Sequence, residues 1–115
     1  MKKRKLKFEP VGYKLAVKRS KAGLGLFTLE EIPNGKCIVE YVGRTLVGDE
    51  EYTIRSKYLF EINSKRTIDG SSRKNIARYI NHSCRPNAEV EIRKGRVFVM
   101  SRKKIKEGEE INYDY

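Results

Sequence analysis

Turn signals recur along this 115-residue chain at intervals too short for long helices to grow between them. Tyr13 to Lys18 and Leu24 to Leu29 alternate apolar and polar residues, the period of a half-buried strand. Ile32-Pro33-Asn34-Gly35 follows as a tight turn, because Pro presets φ and Asn-Gly tolerates positive φ. Lys36 to Val42 is rich in β-branched residues and reads as a strand, and Tyr58 to Ile62 with Arg66 to Ile68 reads as a further pair. The clearest hairpin is Glu89 to Arg93, the turn Lys94-Gly95, and Arg96 to Met100. A turn at Lys106-Glu107-Gly108-Glu109 leads into a short terminal strand, Ile111 to Tyr115. Helical patterning is confined to one or two turns at Asn75 to Ile80 and a short stretch at Asp49 to Ser56. Many short strands and few helices predict a mainly β, β-rich fold.

The length allows one domain, which we place at residues 11–115 behind a basic N-terminal segment, residues 1–10. A hydrophobic content of 38% with 7 Tyr and 4 Phe suffices for a modest core. Apolar runs fall far short of the roughly 20 residues that span a bilayer. Lys2-Lys3-Arg4-Lys5 is not followed by the apolar stretch of a signal peptide. The expectation is a soluble intracellular protein, whether cytoplasmic, nucleoid or nuclear, without membrane contact. Cys37 and Cys84 are too few and too isolated for a disulfide scaffold, so free thiols are expected. His82 is the only histidine available to join them, and we expect no metal. The net charge of +11 is shared between the two halves, with clusters at Lys2 to Lys7 and Arg102-Lys103-Lys104. Such a charge suits nucleic acid or an acidic partner, and equally a merely solvated surface.

Four segments carry chemistry. Ala22-Gly23-Leu24-Gly25 is a glycine pair that can bring backbone amides close to a ligand, although a plain turn would look the same. Glu40-Tyr41-Val42-Gly43 closes a strand on an aromatic and a glycine. Asn81-His82-Ser83-Cys84-Arg85-Pro86-Asn87 packs amide, imidazole, hydroxyl and thiol into seven residues, and so dense a polar cluster must be hydrogen-bonded or bound to something. In Glu110-Ile111-Asn112-Tyr113-Asp114-Tyr115, strand geometry sends Tyr113 and Tyr115 to one face.

In this order, the four segments resemble the SET-domain protein lysine methyltransferases, over about residues 11–115. Tyr58-Leu59-Phe60, Ile68-Asp69-Gly70 and Ile105-x-x-Gly108-Glu109-Glu110-Ile111 add to the likeness. The resemblance implies a SET fold of small curved sheets, with a pseudoknot-like crossing of the Asn81 and C-terminal segments. It also implies S-adenosylmethionine as cofactor, and a protein or peptide substrate whose target lysine enters a narrow channel from the opposite face. Ala22, Gly23, Leu24 and Gly25 match the cofactor loop, and Tyr58, Arg78, Asn81 and His82 match further cofactor-contacting positions. Tyr41, Tyr113 and Tyr115 match the channel tyrosines, with Tyr115 at the position usually assigned as catalytic. Tyr113, two residues earlier, falls on a product switch, where tyrosine implies mainly monomethylation.

That chemistry needs a neutral amine, and a free lysine with pKa ≈ 10.4 is protonated at neutral pH. An apolar channel beside a positive centre disfavours the ammonium form, and hydroxyls and carbonyls then aim the lone pair. This sequence departs from the family pattern in two places. Arg44 stands where many relatives carry an acid. At Tyr115, where relatives commonly continue into a flank whose cysteines share zinc with a residue equivalent to Cys84, the sequence has none. We therefore expect Cys84 to be a buried thiol and the channel to be completed by association, as a homodimer. A SET-like binding module without turnover, engaging nucleic acid or an acidic partner through its basic surface, is the alternative in a different class. The tyrosines and Asn81-His82 favour the enzyme; the charge favours the module.

Overall fold

The computed structural model describes residues 9–21, 23–47 and 58–114. Ala22, Tyr115, the Lys2 to Lys7 cluster and the helical expectation at Asp49 to Ser56 lie outside the described residues. Strands dominate, as expected. β1 (Leu15–Ser20) and β2 (Gly23–Thr28) form an antiparallel pair. β3 (Cys37–Tyr41), β9 (Arg96–Ser101) and β8 (Ala88–Arg93) form a three-stranded antiparallel sheet with β9 in the middle. β4 (Arg44–Val47), β6 (Arg66–Asp69) and β5 (Leu59–Asn63) form another, centred on β6. The helical turns expected at Asn75 to Ile80 form a 3₁₀ turn, Ile76–Tyr79, the one helical element among the described residues.

Local sequence explains most of this. Lys94 and Gly95 take φ of 50° and 76°, the two positive values that a two-residue hairpin turn of the right twist requires. Central β9 is apolar on both faces. Val97 and Val99 join the main core with Leu26, Ile38, Ile80 and Ile111, while Phe98 and Met100 cover Cys37 on the other side. Cys37 is 1% exposed, and burial followed by the nearby Glu40 charge pushes its thiol up to about 11.

The expected terminal strand is shorter and more consequential than its pattern suggests. Residues 108–111 run beside β2, with Gly108 N–H donating to Thr28 O, Thr28 N–H to Glu109 O, and Ile111 N–H to Leu26 O. The chain then forms β10 (Asn112–Tyr113), which pairs in parallel with β7 (Asn81–His82). Asn87, 4% exposed, clamps this crossing. Its Nδ2 donates to Glu110 O at 2.8 Å, its Oδ1 accepts from Asn112 N–H at 3.0 Å, and its own N–H donates to Asn112 Oδ1 at 3.0 Å. Two sequence-distant segments are thereby locked side by side.

Candidate functional site

A cleft of about 960 Å³ opens beside the crossing, within the usual size of small-molecule sites. Gly23 and Leu24 at the start of β2, Tyr58, Arg78 and Asn81 contribute to its wall. Tyr41, Tyr113, Phe60, Ile80, Val90 and Ile92 supply an apolar stretch together with Leu59 and Tyr79, and Glu61 and Asp114 add two carboxylates. Seven of the expected site residues therefore meet in one cleft. Gly25 and His82 are not among its described lining residues, and Ala22 and Tyr115 lie outside the described residues.

Several wall residues are fixed by contacts that their sequence neighbours alone do not reveal. The Tyr41 hydroxyl donates to Tyr58 O at 2.6 Å, and its ring meets Phe60 with centroids 5.3 Å apart. Fully buried Asn75 holds the end of β3 by accepting from Val42 N–H at 3.1 Å, and it donates to Gly70 O at 3.0 Å. Gly70 has to be glycine, because a Cβ there would overlap the Tyr41 ring. The Arg78 guanidinium stacks between two phenols, 4.6 Å from the Tyr58 ring centroid and 4.9 Å from that of Tyr79, while Nη1 donates to Ser71 O. Its Nε is buried and without a hydrogen-bond partner among the described residues.

The two glycines of the loop serve different ends. Gly23 sits at φ 109°, in the region that favours glycine. Gly25 does not; a Cβ on it would run into the Glu110 carboxylate. Asn81 Nδ2 donates both to Leu24 O at 3.0 Å and to Glu110 Oε2 at 2.8 Å. The sequence motifs include Glu110 but give it no role, because a glutamate after Gly108-Glu109 reads as surface charge.

His82 does not line the cleft but contacts Asp114, which does. Its Nδ1 lies 3.4 Å from Asp114 Oδ1 and its Nε2 lies 3.7 Å from Cys84 Sγ. The expectation of a buried Cys84 is overturned: the thiol is exposed. The reason is local, since the short β7 ends at His82 and the Ser83–Pro86 turn leaves the core at the surface, closed by Arg85 N–H donating to Ser83 Oγ. Both thiols are free, and among the described residues no group of three His, Cys, Asp or Glu side chains could hold a metal ion.

One expected result follows. A water-soluble disulfide reagent at pH 8 should titrate one thiol in the native protein, Cys84, and two after denaturation. Two fast-reacting thiols in the native state would contradict the burial of Cys37. Its raised pKa also sets a sign: above the ordinary 9.0 the unfolded chain releases this proton first, so stability falls as pH rises from 9 towards about 11.

The SET domain family model matches residues 23–115. This chain belongs to the SET-domain family. It is 42% identical over 106 residues to the histone-lysine N-methyltransferase set-2 of Caenorhabditis elegans, a match covering 81% of this chain and 7% of that protein. It is 37% identical over 105 residues to the H3 lysine-4 specific histone-lysine N-methyltransferase of Schizosaccharomyces pombe, covering 80% and 11%. Among solved structures, KRYPTONITE in complex with mCHH DNA, an H3(1-15) peptide and SAH superposes with a TM-score of 0.78 at 34% identity, over 93% of this chain and 24% of that one. The SET-domain chain thus spans only a small part of the relatives it matches. The described helices include none long and apolar enough to cross a membrane.

Proposed function

We propose that this SET domain is a protein-lysine N-methyltransferase that uses S-adenosylmethionine and adds mainly one methyl group, acting on a lysine in a histone-like tail inside the cell. One observation carries the reading: residues matched to the cofactor site (Gly23, Leu24, Tyr58, Arg78, Asn81) and residues matched to the lysine channel (Tyr41, Tyr113) line a single cleft. SAH in the KRYPTONITE structure supports the cofactor, and the H3 peptide there supports the substrate class.

The donor set fits the cofactor. The unpartnered Arg78 Nε offers a buried N–H for an anionic group, and the exposed Leu24 and the Tyr58 ring offer apolar surface. When bound, the cofactor supplies the methyl of a sulfonium centre. The protein's own residues do the rest. Exposed Glu61 and Asp114 on the cleft lining attract a cationic side chain to an otherwise strongly basic protein. Phe60, Ile80 and Val90 then desolvate it, which disfavours the ammonium and exposes a lone pair. Because the Tyr41 proton is committed to Tyr58 O, the Tyr41 oxygen meets an amine N–H only as an acceptor, which orients the lone pair rather than consuming it.

Transfer of a radiolabelled methyl group to histone or lysate protein tests the reading, and no transfer with any substrate at saturating cofactor would overturn it. Product number rests on Tyr113, 3% exposed at the inner wall. Its phenol can hold a water in the space a second methyl would need. Tyr113→Phe should therefore shift products several-fold towards di- and trimethyl-lysine, since one hydrogen bond to that water is worth about 0.5–1.5 kcal/mol. Mass spectrometry at matched turnover reads this, and an unchanged product ratio would remove Tyr113 from the role.

A further inference from the structure

We infer that Glu110 is a positioning residue for the cofactor end of the cleft, acting through Asn81 and the β1–β2 turn without lining the cleft itself. The inference rests on the cofactor reading above. The Glu110 carboxylate is spent on two elements at once: Oε1 accepts the Ser20 hydroxyl at 2.7 Å, and Oε2 accepts Asn81 Nδ2 at 2.8 Å. Ser20 ends β1 and Asn81 begins β7, so one side chain from the terminal segment ties the turn before Gly23 to the amide that faces the cleft. The absence of a Cβ at Gly25 makes room for it, and Glu110 is half-buried there.

The consequence is directional. With both N–H bonds of Asn81 Nδ2 committed, to Glu110 Oε2 and Leu24 O, the planar carboxamide has one orientation and its Oδ1 faces one way. The same bond to Leu24 O fixes the backbone at the start of β2. Without Glu110 the carboxamide can flip and the Ser20 end of β1 loses its tie, so a ligand must pay for ordering that the protein now supplies in advance. Hydrogen-bonding capacity, not charge, is what the site needs. A glutamine can accept from Asn81 through its oxygen and donate to Ser20 Oγ through its nitrogen.

The experiment measures SAH affinity by calorimetry and the thermal midpoint of the ligand-free protein for the wild type, Glu110→Ala, Glu110→Gln and Ser20→Ala. Glu110→Ala should weaken SAH binding at least tenfold and Ser20→Ala about threefold, while Glu110→Gln stays within threefold of wild type. At saturating cofactor, the KM for a peptide substrate should stay within twofold in all three, because the channel wall is untouched. If Glu110→Ala does not fold, Ser20→Ala and the Glu110→Gln/Ser20→Ala pair carry the test, the pair being expected to lose the rescue seen with Gln alone. Unchanged SAH affinity in Glu110→Ala, or in that pair, overturns the positioning role and leaves the cofactor reading intact. Equal losses in Glu110→Gln and Glu110→Ala overturn it too, since charge would then be what matters. A wild type that does not bind SAH sinks the cofactor reading and this one with it.

Discussion

Replacing Tyr115 by Phe is expected to lower kcat on the order of 10²–10³-fold while leaving SAH affinity within about twofold, in line with the loss of one preorganised polar group at a reacting centre. The substitution keeps the ring and removes only the hydroxyl. Tyr115 takes this assignment from its place in the family pattern, two residues beyond Tyr113, which the structure puts on the cleft wall. Tyr41 offers the contrast. Its hydroxyl already donates to Tyr58 O, so Tyr41→Phe breaks a contact inside the protein as well as the proposed one to an amine, and should alter stability and turnover together. Tyr115→Phe should alter turnover alone. Kinetics at saturating peptide, with calorimetry on the same preparation, separate the two outcomes. A Tyr115→Phe protein that keeps most of its kcat would show that the decisive hydroxyl belongs to another residue.

The parts of the fold that could be read in advance are those in which a local pattern and a local contact coincide. β8 and β9 are joined by a turn whose two residues both take positive φ, and their register follows from it. The β5–β6 pair is legible from its two flanking strand patterns, and its turn is closed by Lys65 N–H and Arg66 N–H donating to Asn63 Oδ1 rather than by positive φ. β4 was not, because Arg44-Thr45-Leu46-Val47 buries only Leu46 and becomes a strand by pairing with the distant β6. The parallel pairing of β10 with β7 is two residues long and links positions about thirty apart, so no periodicity encodes it. The family likeness supplied that crossing where periodicity could not. The site shows the same division. Motif positions placed Tyr41, Arg78 and Asn81 together, but the burial of Cys84 was misjudged, because exposure there depends on where a two-residue strand ends. The role of Glu110 is not legible in its motif, because what sets it apart from Glu109 is its contacts with Ser20 and Asn81.

Those nonlocal contacts give the crossing an energetic weight that can be tested at Asn87. Asn87→Ala removes the carboxamide that donates to Glu110 O and accepts from Asn112 N–H. The surviving Asn87 N–H to Asn112 Oδ1 bond cannot satisfy either group. Both are partly enclosed between β2, β7 and β8, and an unsatisfied group in such a place costs about 1–3 kcal/mol. For the two groups the expected loss is therefore about 2–6 kcal/mol, a large share of the roughly 5–15 kcal/mol that holds a domain of this size together. At this length it should lower Tm on the order of 10–20 °C. Asn87 is not among the residues lining the cleft, so well below the new Tm the SAH affinity should fall much less than in Glu110→Ala. Thermal unfolding followed by circular dichroism measures the first effect and calorimetry the second. A Tm within about 3 °C of wild type would mean that water replaces the clamp at little cost, and that the crossing is held by Ile111 and Tyr113 packing into the core rather than by its amides.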